Sequence, residues 1–310
     1  AKYPLSVARI QFINHGENTT FKVTDSKGRH FLCRIHRNGY HSKPALMEEI
    51  RWLAQLAKED MNVPKPIRSR TGKLIERVFH PEVGFRECDV FHWVEGRFID
   101  KSLEPKHLLE MGILLSGLQR VGKKFESKHR KYWNTEGLVG SKPKFGNIDQ
   151  LQDVKPKQQA ILTAARKQAY KNLKAFEKRS SDRTGLIHAD LHFGNMLITT
   201  DGSIGAIDFD DCGVGFHLYD LAVPLVSLEH RLKALKRFKE YPRFKAALIE
   251  GYTREVPWRK DDDFILTNLI MARRLMMLGW LDSRKDNPRL KKYKQIAIAK
   301  ALKHIENPRL

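Results

Sequence analysis

The sequence predicts an α+β chain in two parts: a strand-rich part with one main helix over residues 1–95, and a mostly helical part over residues 96–310. Three observations carry that reading. Apolar and polar residues alternate early in the chain, apolar residues recur at helical spacing from Pro105 onward, and one β-like island at Leu186–Phe209 interrupts the helices.

Ala8–Ile13 and Thr20–Val23 read as short strands, separated by the polar turn Asn14-His15-Gly16-Glu17-Asn18. Arg29–His36 places Phe31, Cys33 and Ile35 on one side and Leu32, Arg34 and His36 on the other, and Lys27-Gly28 supplies a hairpin turn ahead of it. Ser42 and Pro44 then mark a helix start, since a serine hydroxyl accepts from unpaired first-turn amides and proline is tolerated there. Leu46, Ile50, Leu53 and Ala57 follow as one face of that helix. Cys88–Val94 is a further strand, closed by Glu95-Gly96. Beyond it, helices are expected at 105–121, 155–179, 219–239, 242–252, 261–283 and 289–305.

Hydrophobic content of 41% and charged content of 30% over 310 residues describe a soluble globular chain with a substantial core. No apolar run reaches membrane-spanning length, and Ala1–Ile10 lacks the apolar centre of a secretory signal. The cysteines Cys33, Cys88 and Cys212 form no paired spacing for a disulfide framework or a zinc site, which points to a reducing cytoplasm. The net charge is +21, and Val121–Ser180 alone holds 15 Lys and Arg against 5 Asp and Glu. There, Leu162, Ala165, Ala169, Leu173 and Phe176 form an apolar stripe opposite Lys167, Lys171, Lys174 and Lys178, the pattern of a packed helix with a solvated face. No zinc-finger, RNP or helix-turn-helix pattern accompanies the charge, so nucleic acid is not the expected partner.

The island carries the chemistry. Asp201-Gly202 between two apolar runs predicts a hairpin, with Thr200 opposite Ser203 and Asn195 opposite Asp208. A carboxamide and a carboxylate at one end of a small sheet suit magnesium, a hard ion that binds few protein oxygens together with phosphates and water. Asp190, on the loop entering the hairpin, is placed to orient or accept the proton of an attacking hydroxyl.

The spacing His188-x-Asp190-x4-Asn195 matches the catalytic loop of protein kinases. The wording His188-Ala189-Asp190-Leu191-His192 and Gly194-Asn195, followed by Ile207-Asp208-Phe209-Asp210-Asp211, more closely resembles the aminoglycoside/choline kinase superfamily. That resemblance implies a bilobal protein-kinase-like fold, with residues 1–95 as a β-rich nucleotide-binding N-lobe and 96–310 as a helical C-lobe carrying the catalytic loop and the substrate-binding helices. It implies ATP and Mg2+ as cofactors, Asp190 as catalytic base, and Asn195 and Asp208 as metal ligands. Arg34 then stands on the strand where the family usually has Lys, with Glu49 of the following helix as its partner. The loop Asn14–Thr20, including Asn18, covers the phosphates, and Phe91–Gly96, including Trp93 and Val94, is the hinge whose backbone pairs with adenine. Asp220, in Leu218-Tyr219-Asp220-Leu221-Ala222, is expected as a structural anchor, and His188 and His192 as loop-holding groups.

The implied reaction is transfer of the γ-phosphate of ATP to a small-molecule hydroxyl. Arg273–Arg284 resembles a bacterial branch with stress-response and homoserine-kinase-like members, so a protein Ser/Thr kinase is one alternative. A catalytically silent nucleotide-binding or nucleic-acid-associated protein is the other. Asp210, Asp211 and Asp261–Asp263 are candidates for an acidic cleft, yet a +21 chain repels polycations, which favours a neutral, zwitterionic or anionic acceptor.

Overall fold

The computed structural model describes residues 2–141 and 143–307. The chain forms two compact units, each drawn from more than one stretch of sequence. Unit 1 holds the chain up to Asp100, Phe125–Arg130 and Gly194–Asp210; unit 2 holds Lys101–Lys124, Lys131–Phe193 and the chain from Asp211 onward. The architecture is α+β.

In unit 1, β1 (Val7–His15), β2 (Asn18–Asp25), β3 (His30–His36), β4 (Glu76–His80) and β5 (Gly84–His92) form one antiparallel sheet in the order β1-β2-β3-β5-β4. The strand β4 escapes the sequence pattern because Glu76-Arg77-Val78-Phe79-His80 has no alternation, and only pairing with β5 defines it. The helix α1 (Lys43–Lys58) starts where expected: the Ser42 hydroxyl accepts from the Ala45 amide at 3.3 Å, and Pro44 sits in the first turn. It buries Leu46, Ile50, Trp52, Leu53 and Leu56, while Ala57 is only half-buried. The Trp52 ring meets Phe209 edge-on at 5.4 Å. Tyr3, Val23, Phe31 and Val90 form a core cluster, and each such buried side chain contributes about 1.5–3 kcal/mol.

The apolar island divides. Thr184–Ile187 (β8) belongs to unit 2, whereas β9 (Met196–Ile198) and β10 (Ile204–Ala206) join β6 (Arg97–Phe98) in a three-stranded sheet of unit 1. The hairpin register is one residue off the expected one: Ile198 faces Ile204 and Met196 faces Ala206, so Asn195 lies opposite Ile207. A longer turn causes the shift. Thr199 pairs with Ser203 through its amide, leaving a three-residue loop in which Gly202 takes φ +85°.

Unit 2 is mainly helical: α2 (Pro105–Gly122), α3 (Thr135–Val139), α4 (Pro156–Arg179), α5 (Tyr219–Ala234), α6 (Tyr241–Tyr252), α7 (Asp262–Asp282) and α8 (Pro288–Glu306). A small sheet, β7 (Lys131–Trp133), β11 (Gly213–Phe216) and β8, lies in the order β7-β11-β8. The expected helix at 219–239 stops at Ala234, because Lys236 adopts φ 58° and cannot continue it. Glycines set the α2–α6 crossing: a Cβ on Gly112 would come within 2.2 Å of the Leu248 carbonyl oxygen. On α4, Leu162, Ala169, Leu173 and Phe176 are buried and Ala165 is half-buried, whereas Lys167, Lys171 and Lys178 are exposed. The helix α7 has the length and hydropathy of a membrane span, but 67% of that stretch is buried, so it serves as a core helix. The cysteines are free thiols.

Candidate active site

In unit 2 the loop after β8 is held from beneath. The carboxylate of Asp220, at the start of α5, accepts from the amides of His188 (2.8 Å) and Ala189 (2.7 Å). Burial pushes this carboxyl up to about 7, against the lowering by its two amide donors. Ala189 is itself buried at φ 68°, a conformation that a non-glycine residue keeps only where its surroundings enforce it. The grip presents Asp190 with its side chain 26% exposed. Its amide donates to His188 Nδ1 at 3.3 Å, and its carbonyl accepts from the His192 amide at 2.8 Å. Arg273 on α7 donates to Asp190 Oδ1 at 2.5 Å and reaches the Tyr219 hydroxyl at 3.5 Å.

Unit 1 contains a buried ring of polar side chains. Arg34 on β3 donates through Nε and Nη2 to the two oxygens of Asp89 on β5 (2.9 and 2.8 Å), and through Nη1 to Glu49 on α1 (2.6 Å). Burial alone would raise the Asp89 carboxyl, but Arg34 and His36 hold it down at about 2. His36 Nε2 lies 2.8 Å from Asp89, and its Nδ1 lies 2.9 Å from Asn18 Oδ1. Asn18 in turn donates to Asp210 at 2.9 Å. Arg130 completes the circuit: it donates to the Asp210 carbonyl, and its Nη1 forms an ion pair with Glu49 Oε2 at 3.6 Å. The neighbouring Glu48 places Arg130 by accepting from the Ser127 hydroxyl and from the amides of Lys128, His129 and Arg130 at 2.8–3.1 Å.

The structure thus brings Arg34, Glu49 and Asn18 into one network. Asn195 is buried at the end of the β9–β10 hairpin, where its carbonyl accepts from the Ile207 amide at 3.0 Å. Asp208 follows directly, exposed and at φ 62°. An exposed carboxylate beside a carboxamide is an all-oxygen donor pair of the kind Mg2+ takes when phosphates and water complete its shell. The Trp93 amide extends the pairing with His30 at 3.1 Å, its ring carries Lys22 at 4.7 Å, and Val94 lies beside Gly205.

The acids that were candidates for a cleft each have a partner. Asp211 pairs with Lys144, Asp261 with Arg179, buried Asp262 with Arg183 and Asp263 with Lys245, while Asp210 is taken up in the ring. Conversely, Asp89, His36, Arg130 and Arg273 were not singled out from sequence. Asp89 had a signal: it is the lone acid within Cys88–Val94, and it faces Arg34 in strand register. His36 shares the Arg34 side of β3, whereas Arg130 and Arg273 depend on tertiary placement alone.

Comparison with known proteins agrees with this geometry. Residues 9–260 match the model of the phosphotransferase enzyme family APH. Amicoumacin kinase of Bacillus subtilis (strain 168) is 23% identical, with 99% of this chain and 90% of that protein aligned. Homoserine kinase of Beijerinckia indica is 26% identical, over 67% of this chain and 60% of that protein. The structure of a microcompartment-associated aminopropanol kinase superposes with a TM-score of 0.81 at 26% identity, covering 99% of this chain and 95% of that one. The fold is therefore protein-kinase-like. With residues 9–260 matched, the chain belongs to the phosphotransferase enzyme family and is an ATP-dependent kinase.

Proposed function

We propose that the protein transfers the γ-phosphate of ATP to a hydroxyl of a small molecule, with Mg2+ as the cation and Asp190 as the catalytic base. The observation that carries this reading is the loop at Asp190: two amide bonds to Asp220 and the φ of 68° at Ala189 fix it, while the carboxylate stays partly exposed. Such a group orients the acceptor hydroxyl and takes its proton as the new O–P bond forms and the bond to ADP breaks. Arg273 holds one carboxylate oxygen, which limits the orientations the base can adopt. Asn195 and Asp208 would hold the metal, and Arg34, Glu49 and Asn18 would support the phosphates, with the backbone at Trp93–Val94 facing adenine. Magnesium, when bound with ATP, neutralises charge on the β- and γ-oxygens.

The relatives named above act on amicoumacin, homoserine and aminopropanol, which supports a small hydroxyl compound as acceptor. The +21 charge favours a neutral, zwitterionic or anionic one over a polycation, and makes an anionic protein surface the second choice. We place the reaction in a reducing cytoplasm, in keeping with the three free thiols, and not at a membrane. A panel of amino alcohols and hydroxy amino acids, assayed by ADP release, tests the reading. Asp190→Asn should lower turnover about 10³-fold while ATP affinity stays within about twofold. Wild-type turnover by that variant would remove Asp190 from the chemistry.

A further inference from the structure

By the family resemblance Arg34 stands at a position where lysine is usual, and the side chains around it suit a guanidinium. It spends three donors on two carboxylates, forked onto Asp89 and single onto Glu49. Asp89 faces it directly across the β3–β5 ladder, so the fork is set by strand register. Both groups are buried, with side-chain exposures of 5% and 1%. Glu49 is less fully used: its Oε2 has no hydrogen-bond partner among the described residues, only the Arg130 ion pair at 3.6 Å. A cation freed from Asp89 would therefore be drawn towards Glu49.

We propose that Asp89 is a positioning residue for nucleotide binding, acting through Arg34, and that Arg34 and Asp89 form a matched pair that can be exchanged only together. The inference rests on the phosphotransfer reading, with Arg34 at the nucleotide phosphates. A guanidinium can be forked by one carboxylate, held at its other end by a second, and still present remaining N–H groups in a fixed plane. An ammonium is a point charge without a plane. Between Asp89 and Glu49 it is shared by both and directed by neither. With Asp89 neutral, it pairs with Glu49 alone.

The test measures Mg2+–AMP-PNP binding by calorimetry to the full chain and to Arg34→Lys, Asp89→Asn and the double variant. Each single change should weaken binding about tenfold, and the double variant should return to within about threefold of wild type, not fall to the product of about a hundredfold. Multiplying losses, or wild-type affinity in Asp89→Asn, would overturn the pairing. If Asp89→Asn does not fold, Asp89→Glu, which keeps the charge and lengthens the arm, should still melt cooperatively and lose about tenfold; unchanged affinity there overturns it equally. Melting temperatures taken in parallel isolate a purely structural role, which would lower Tm while leaving the affinity of the folded variants intact and would also sink the proposal. A wild-type chain that fails to bind the probe would instead overturn the phosphotransfer reading, and the pairing with it.

Discussion

Asp89 in unit 1 and Asp220 in unit 2 are both buried aspartates that organise a polar centre, and their surroundings push their proton affinities in opposite directions. Asp89 meets the Arg34 guanidinium and the His36 imidazole, which hold it at about 2 against burial. Asp220 accepts from backbone amides, and burial, with the nearby Asp190 charge, prevails at about 7. Amide dipoles position a carboxyl group well but repay less of its desolvation than a full opposite charge does. The difference matches the work each centre does. The ring in unit 1 draws side chains from several segments into a fixed array, whereas the loop in unit 2 needs only its backbone gripped so that Asp190 can project.

The contrast breaks first on the pH dependence of stability, where the larger effect belongs to Asp220. Between its ordinary value near 3.8 and about 7, the folded chain binds a proton that the unfolded chain has released. Stability from this group is therefore complete below about pH 4 and is lost as pH rises through about 7, a swing on the order of 4 kcal/mol. Urea unfolding from pH 4.5 to 8 should show this loss in wild type and a flatter profile in Asp220→Asn. Parallel profiles would mean that the amide donors offset burial after all.

Asp89 gives the opposite slope and a smaller effect. Its folded value lies below 3.8, so its contribution is present above about pH 4 and disappears as pH falls through about 2. The difference in unfolding free energy between wild type and Asp89→Asn should shrink by about 2 kcal/mol across that acid window. A constant difference would show that Arg34 and His36 do not hold the charge.

What the sequence revealed follows from the range of each interaction. Helices such as α1, with its Ser42 cap, and α4, with its buried stripe, are written in local spacing, and so is the Asp190 loop with its Asn195 and Asp208 companions. Arg34 and Glu49, 15 positions apart, are paired in the sequence through the family resemblance. The partners that complete the ring are not. Asp89 joins Arg34 across 55 positions, and Arg273 reaches Asp190 across 83. Asp262 depends on the same long range: in sequence it is one of three adjacent acids, and its partner Arg183 in the core lies 79 positions away.

The hairpin between the two halves of the chemical motif sharpens the comparison by separating support from function. Its turn and its working end are opposite ends of the same short ladder: Gly202 closes one, and Asn195 with Asp208 forms the other. A Cβ on Gly202 meets nothing within 4 Å, so Gly202→Ala is opposed only by its φ of +85° and should cost about 1 kcal/mol. The Thr199–Ser203 pair and the Asn195–Ile207 bond still fix the register in that variant. Thermal unfolding should therefore shift by a few degrees while Mg2+–AMP-PNP affinity stays within about twofold. If affinity fell in step with stability, the end proposed to bind the metal would be tuned by the turn, and the small sheet would be part of the site itself and not its scaffold.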